Sequence, residues 1–264
     1  YGYYYSTESD EFRRLVHLIR DHKFGGIAFF QGDVLETALM ANRLQELADV
    51  PLLIAGDFEW GTAMRIRRST RFPEAMALGA SRDTGLAFRV GRAIGEETRA
   101  IGVQMDFAPV ADVNVNPANP VINTRSFGED PELVAEMATA YADGLRAAGV
   151  LATAKHFPGH GDTQTDSHLN LPLVPHSRAR LDTVELVPFR RLIKSGIGSV
   201  MVGHLEVPSL QQQRSVPATL SPDVIDGVLR RELGFTGLVV TDAMDMGALV
   251  NSYGSDSSAV LAVE

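Results

Sequence analysis

The sequence predicts an α/β protein built as a (β/α)8 TIM barrel, on three observations. Short apolar runs alternate with longer stretches of helical period, the runs are continuously apolar, and polar residues gather at their C-terminal ends. The runs are 26–30, 52–55, 103–108, 151–155, 199–202 and 238–241. Continuous apolarity suits a parallel sheet covered on both faces, where neither side of a strand meets water. Between the runs, apolar residues recur three or four apart, as in Phe12/Leu15/Val16/Ile19, Leu86/Val90/Ile94 and Leu133/Met137/Tyr141/Leu145. Each set lays one apolar stripe along a helix. Ser221-Pro222 starts another helix, with serine as N-cap and proline at the first helical position.

An open doubly wound sheet shares this alternation, and the polar residues choose between the two. Asp57 and Glu59 follow one run, Asp112 another, Lys155 and His156 end a third, and His204 and Asp242 follow the last two. Barrel sites are assembled at that face from many strands. A doubly wound sheet concentrates binding at one switch point marked by a Gly-rich turn, and no G-x-G-x-x-G follows a strand here. Six strands are clear, 2–5 reads as the tail of a first strand, no eighth follows Asp242, and 259–264 reads as helix. The barrel is therefore expected to be truncated, with its first strand partial and its eighth absent. An open barrel leaves unpaired edges, so residues 1–264 are expected to form a single domain incomplete at both ends.

With 264 residues and 45% hydrophobic content, the chain can bury a substantial core. Its formal charge of -9 argues against partners bound by phosphate neutralisation, so neither nucleic acid nor an anionic membrane is expected. A neutral small molecule fits better. The absence of cysteine removes disulfides, thiolate catalysis and sulfur-ligated metals, and leaves the redox compartment open. There is no transmembrane run, and Tyr1-Gly2-Tyr3-Tyr4-Tyr5 carries no signal-peptide pattern, so the sequence assigns no localisation.

The densest polar cluster is Lys155-His156-Phe157-Pro158-Gly159-His160-Gly161-Asp162-Thr163-Gln164-Thr165-Asp166-Ser167-His168, a strand end running into a long loop. His156 and His160 have the i,i+4 spacing of a helical zinc pair, but Pro158-Gly159 between them breaks a helix, so no metal is expected. Asp166 and His168 are two apart and can hydrogen-bond in a turning loop. A carboxylate on one imidazole nitrogen raises the proton affinity of the other, as a general acid/base near neutral pH requires. Asp242 ends an apolar run, where a carboxylate left unpaired in the core would be costly. Asp245 follows three residues on, and spacing alone does not choose the reacting one, although Asp242 lies directly at the strand end. Trp60, the only tryptophan, serves equally as a flat platform for a ligand or as loop packing.

On these residues the chain resembles the N-terminal barrel domain of family 3 glycoside hydrolases, and within them the bacterial β-N-acetylglucosaminidases (β-hexosaminidases). Lys155–His168 is similar to the subfamily pattern K-H-F-P-G-H-G-x4-D-S-H, 123–130 to the segment R-S-F-G-x-D-P, and 237–242 to the strand that carries the family nucleophile. Where the family often has D-Q-E-G-G, Asp57-Phe58-Glu59-Trp60-Gly61 keeps the first acid and substitutes aromatics. The resemblance implies a retaining hydrolase of terminal β-linked N-acetylglucosamine, acting on peptidoglycan-derived or chitin-like saccharides through a covalent glycosyl-enzyme. It implies Asp242 as nucleophile, His168 as acid/base with Asp166 as its partner, and Asp57, Arg125, Lys155 and His156 as ligands of sugar hydroxyls. His204 lines the pocket in this reading. It implies no cofactor and no metal, a small carbohydrate as partner, and room for an additional C-terminal domain. The alternatives are a β-N-acetylglucosaminide phosphorylase on the same frame and a carbohydrate-binding domain without turnover.

Overall fold

The computed structural model describes residues 9–167 and 169–263. In chain order its elements are α1 (Asp10–Arg20), β1 (Gly26–Phe29), β2 (Gly32–Asp33), α2 (Val34–Leu47), β3 (Leu53–Gly56), β4 (Ile66–Arg67), α3 (Ala75–Ser81), α4 (Thr84–Ala100) and β5 (Met105–Asp106). There follow α5 (Pro131–Ala147), β6 (Leu151–Phe157), α6 (Arg178–Thr183), α7 (Leu186–Lys194), β7 (Ser199–Val202), a π-helix (Asp223–Glu232), β8 (Leu238–Thr241), α8 (Gly247–Tyr253) and α9 (Ser255–Leu261).

One sheet runs β1-β3-β5-β6-β7-β8, and every neighbouring pair is parallel. Each strand is added to the same edge, without the reversal that makes a doubly wound sheet. The fold is thus α/β, a curled, barrel-type sheet with six strands among the described residues. β2 and β4 form a separate two-residue ladder, Gly32 opposite Ile66 and Asp33 opposite Arg67.

All six expected runs are strands, with shifted ends. The run 103–108 narrows to Met105–Asp106, because the Gln104 side chain, rather than a backbone partner, accepts from Ile54 N–H at 2.9 Å. The run 151–155 lengthens to Phe157. The stretch 2–5 lies outside the described residues. Cover on both faces holds for β7, all four of whose residues are buried, but not for β8, whose Leu238 is 41% exposed. β8 ends the sheet and has one neighbour there. The helix after Ser221-Pro222 starts at Asp223, and the serine contributes its carbonyl, which accepts from Val224 and Ile225 N–H, rather than a hydroxyl cap.

The apolar stripe of α5 puts Met137, Tyr141 and Leu145 in the core with Val90 and Ile94 of α4. These two helices pack backbone against backbone through glycines. A Cβ on Gly144 would lie 2.2 Å from the Phe88 carbonyl oxygen and 2.6 Å from Arg92 N. One on Gly91 would lie 2.2 Å from the Tyr141 carbonyl oxygen. Neither obstacle is a movable side chain. Gly144→Ala is therefore expected to cost about 1–3 kcal/mol, as overpacking does, seen as a lower urea midpoint at unchanged m-value.

Candidate active site

The loops at the C-terminal ends of the strands enclose a cavity of about 740 Å³, within the range of roughly 300–1,000 Å³ typical of small-molecule sites. Asp57, Arg125, Lys155, His156 and Asp242 are on its wall, joined by Arg65, Trp60, Phe30, Met244 and Asp245.

Adjacent residues of a regular strand face opposite ways, yet Lys155 and His156 both reach the cavity. The pairing of β6 with β7 shifts register between Ala154 and Phe157, which re-aims the two side chains. Lys155 is 2% exposed and donates to Asp57 Oδ1 at 2.7 Å, with Glu59 Oε1 at 2.6 Å. Burial alone would lower its pKa, but the two carboxylates outweigh burial and raise it. Glu59, also buried, takes a two-pronged bond from Arg125, Nη2 to Oε1 at 2.7 Å and Nε to Oε2 at 2.9 Å. Burial would push its carboxyl up; Lys155 and Arg125 hold it far below the usual range. Arg65 closes the array, donating to Asp57 Oδ2 at 2.6 Å.

His156 is oriented by Asp112, which is wholly buried and accepts from its Nδ1 at 2.7 Å and its backbone N–H at 3.2 Å. That tautomer leaves Nε2 to accept from Arg125 Nη2 at 3.4 Å. Asp112 also accepts from His160 N–H at 2.7 Å. Against the cost of burial, the His156 imidazole and these N–H groups keep its pKa below the usual value.

His160 braces the long loop from inside. Its Nδ1 lies 2.7 Å from Thr163 Oγ1, its Nε2 lies 3.0 Å from Ser167 Oγ, and its carbonyl accepts from Asn119 Nδ2 at 2.8 Å. Burial lowers its pKa to about 4, so the ring is neutral at pH 7. Both nitrogens are thereby engaged in the loop, away from a shared metal with His156. Asp166 sits next to Ser167, which is on the cavity wall and whose carbonyl accepts from Ala248 N–H at 3.2 Å. The loop thus packs on the segment that follows Asp242. His168 lies outside the described residues.

Asp242 is half-buried at the tip of β8, with its backbone N–H donating to the Val202 carbonyl and its Oδ1 accepting from Ala243 N–H at 2.8 Å. Burial would raise its pKa, but the His156 and His204 imidazoles, the Ala243 N–H and Lys155 hold it below the usual range, so it is ionised at neutral pH. Asp245 is exposed on the same wall.

The structure corrects one placement. His204 does not line the cavity but is fully buried behind it, its Nε2–H donating to the Ala243 carbonyl at 2.8 Å and its Nδ1 accepting from Thr219 Oγ1 at 2.8 Å. It holds the turn after Asp242, a role that a strand-end position alone does not distinguish from lining.

Sequence reasoning missed Arg65, Asp106 and the coupling of Glu59 to both cations. Nothing local marks Arg65, whereas Asp106 had a signal: an acid inside the apolar run 103–108. It is fully buried, with Oδ1 accepting from Phe58 N–H at 3.0 Å and Oδ2 without a hydrogen-bond partner among the described residues. Burial first, then repulsion from Asp57 and Glu59, push its pKa up to about 8.

A parallel sheet wound one way, with its charged cavity on the C-terminal loops, defines an α/β-barrel domain of the kind that carries its site on that face. The chain belongs to glycosyl hydrolase family 3: the model of that family's N-terminal domain matches residues 8–264. The chain is 41% identical over 262 residues to the β-hexosaminidase A of Pseudoalteromonas piscicida, covering 90% of this chain and 44% of that protein. It is 34% identical over 245 residues to a β-N-acetylglucosaminidase/β-glucosidase of Cellulomonas fimi, covering 90% and 43%. Among solved structures, the family 3 β-N-acetylglucosaminidase from Paenibacillus sp. str. FPU-7 superposes with a TM-score of 0.90 at 44% identity, over 97% of this chain and 49% of that one. The chain therefore spans less than half the length of these relatives.

The raised pKa of Asp106 has a testable sign. In the unfolded chain the group titrates near 3.8, in the fold near 8. Between those values only the folded state holds the proton, so this residue's contribution to stability falls as pH rises. Asp106→Asn removes that dependence. The stability of the Asn variant relative to the parent, from urea melts, is expected to rise between about pH 4 and pH 8; a flat difference would contradict an elevated pKa.

Proposed function

We propose that this chain is the catalytic barrel domain of a retaining exo-β-N-acetylglucosaminidase, which releases terminal β-linked N-acetylglucosamine from peptidoglycan-derived or chitin-like saccharides. The observation that carries this reading is Asp242, ionised and facing a cavity whose other wall is an array of fixed donors and acceptors. A polyol is recognised by such an array, since carboxylates accept from hydroxyls while Lys and Arg donate in set directions. Asp57 retains unused lone pairs after binding Lys155 and Arg65, and its neighbours Arg125, Lys155 and His156 stand ready as further ligands. The acetamido preference rests on the names of the relatives.

In this mechanism His168, partnered by Asp166, protonates the glycosidic oxygen while Asp242 attacks the anomeric carbon. The aglycone leaves, and neutral His168 then takes a proton from the water that releases the sugar, so two inversions give net retention. Arg125 and Lys155, already paired, hold their geometry through both steps and need no reorganisation as charge develops.

Asp242→Asn is expected to lower turnover of an aryl β-N-acetylglucosaminide by several orders of magnitude, and undiminished activity would sink the nucleophile assignment. His168→Ala is expected to lose about 10²–10⁴-fold on substrates with poor leaving groups and much less on an aryl glycoside with an acidic phenol. Equal losses on both would remove His168 from the acid role. Product analysis in phosphate buffer separates hydrolysis from phosphorolysis, with free sugar expected and sugar 1-phosphate supporting the phosphorylase instead.

A further inference from the structure

Away from the cavity, the loop between β6 and α6 and the start of α7 bring together Asp162, His176 and Glu185. One ligand atom from each lies within 4.8 Å of the other two. We propose that these residues bind a divalent transition-metal cation of the zinc class, which pins the root of the loop carrying Asp166 and His168 to the α6–α7 segment. This departs from the expectation of a metal-free protein.

A cation is wanted most at Glu185. It is 2% exposed at the head of α7, and neither carboxylate oxygen has a hydrogen-bond partner among the described residues. A buried carboxylate without such partners is costly, and an ion bonded to it would supply what is missing. Beside it, His176 Nε2 and Asp162 Oδ2 are 2.8 Å apart and both half-buried. One imidazole nitrogen and two carboxylate oxygens form a donor set suited to zinc and its neighbours, with ligand bonds of about 2.0–2.2 Å. Binding would draw the three atoms inward from their present spread and leave one or more positions for water.

The chain is shaped to let the loop approach. Gly159 has a φ of +132°, and a Cβ there would lie 2.8 Å from Glu185 Cβ. Only glycine tolerates that contact together with that backbone conformation.

Arg180 is the competing occupant. Its Nη2 stands 3.3 Å from Glu185 Oε1 and 3.5 Å from Asp162 Oδ2, ion-pair separations rather than good hydrogen bonds. Its side chain is 36% exposed and can swing into water when an ion enters. Two carboxylates against one guanidinium still leave a formal charge of -1 before a cation binds.

The test is calorimetric titration of chelator-treated protein with zinc chloride, alongside thermal melts. One equivalent per chain is expected, with a rise in Tm. His176→Ala and the isosteric Glu185→Gln should each weaken uptake at least about tenfold, the loss that even an outer partner of a metal site carries, and should abolish the Tm rise. Arg180→Ala should tighten zinc binding, because a competing charge is gone. Asp242→Asn should leave it unchanged, which separates this site from the catalytic cavity. Circular dichroism confirms folding, and the half-buried His176 provides a variant that spares the buried Glu185. No zinc uptake, uptake equal in parent and both ligand variants, or uptake lost with Asp242→Asn would overturn the proposal. So would a drop in Tm for Arg180→Ala without tighter zinc binding, which makes Arg180 the cluster's own cation. Binding is read without turnover, so the outcome is independent of the hydrolase reading.

Discussion

The buried ammonium of Lys155 is the constraint on which the site depends. A charge taken out of water is tolerable only when paired with good geometry on several sides, and here the partners come from different parts of the chain. Asp57 and Glu59 follow β3, Lys155 lies near the C-terminal end of β6, and Arg125 arrives from the long connection between β5 and α5. None of these pairings exists before the sheet is assembled. The same network therefore reports the fold and builds the cavity wall, and loss of one member leaves a buried charge uncompensated rather than one bond fewer. The cluster is anchored from below as well, where the Tyr141 hydroxyl of α5 donates to the Glu59 carbonyl at 3.1 Å.

Around this network lies a layer of imidazoles whose work is mostly structural. His156 is fixed by Asp112, His160 by Thr163 and Ser167, and His204 by Thr219 and the Ala243 carbonyl. Burial lowers the pKa of His160, to about 4, and that of His204, and each ring bridges partners through both of its nitrogens. The R-S-F-G-x-D-P-like segment divides its labour in a similar way. Arg125 serves the cavity, Ser126 Oγ donates to the Asp112 carbonyl and accepts from Gly128 N–H, and Asp130 caps α5 by accepting from Glu132 and Leu133 N–H, with Pro131 at the first helical position. One motif thus ends at a helix start whose position fixes where the guanidinium stands.

Legibility followed periodicity and strand ends. Continuous apolar runs located six strands because a covered parallel strand has no polar face to confuse the pattern, and their C-terminal residues located Asp57, Lys155, His156 and Asp242 on one cavity. What the pattern could not show is direction and partnership. His204 stands at a strand end like the others, yet its ring turns away to hold Ala243. The adjacency of Lys155 and His156 argues against a shared face until the register shift in β6 is seen. Arg65 enters through a turn after a 3₁₀ segment, Thr62–Met64, that no local residue pattern announces. Glu185, buried at a helix head, reads in sequence as an ordinary acid near an N-terminus.

The strand tip and the long loop after β6 are held in different ways. Asp242 is held by a backbone hydrogen bond to the Val202 carbonyl, and His204 holds the turn after it, so a carboxylate placed there has little to reorganise. In the proposed mechanism the proton donor follows Ser167 in sequence, and closure of a loop over bound substrate is a common way to bring such a donor to the reacting oxygen. Such a loop needs a firm root. The brace from His160 to Thr163 and Ser167 gives it an internal one, while the Asp162 contacts tie its first half to the α6–α7 segment. A group that must move a proton in both directions gains from an imidazole's pKa near neutrality, while a nucleophile that must stay ionised gains from a cationic surround. The strand tip and the loop meet at one cavity, through Asp242 and Ser167.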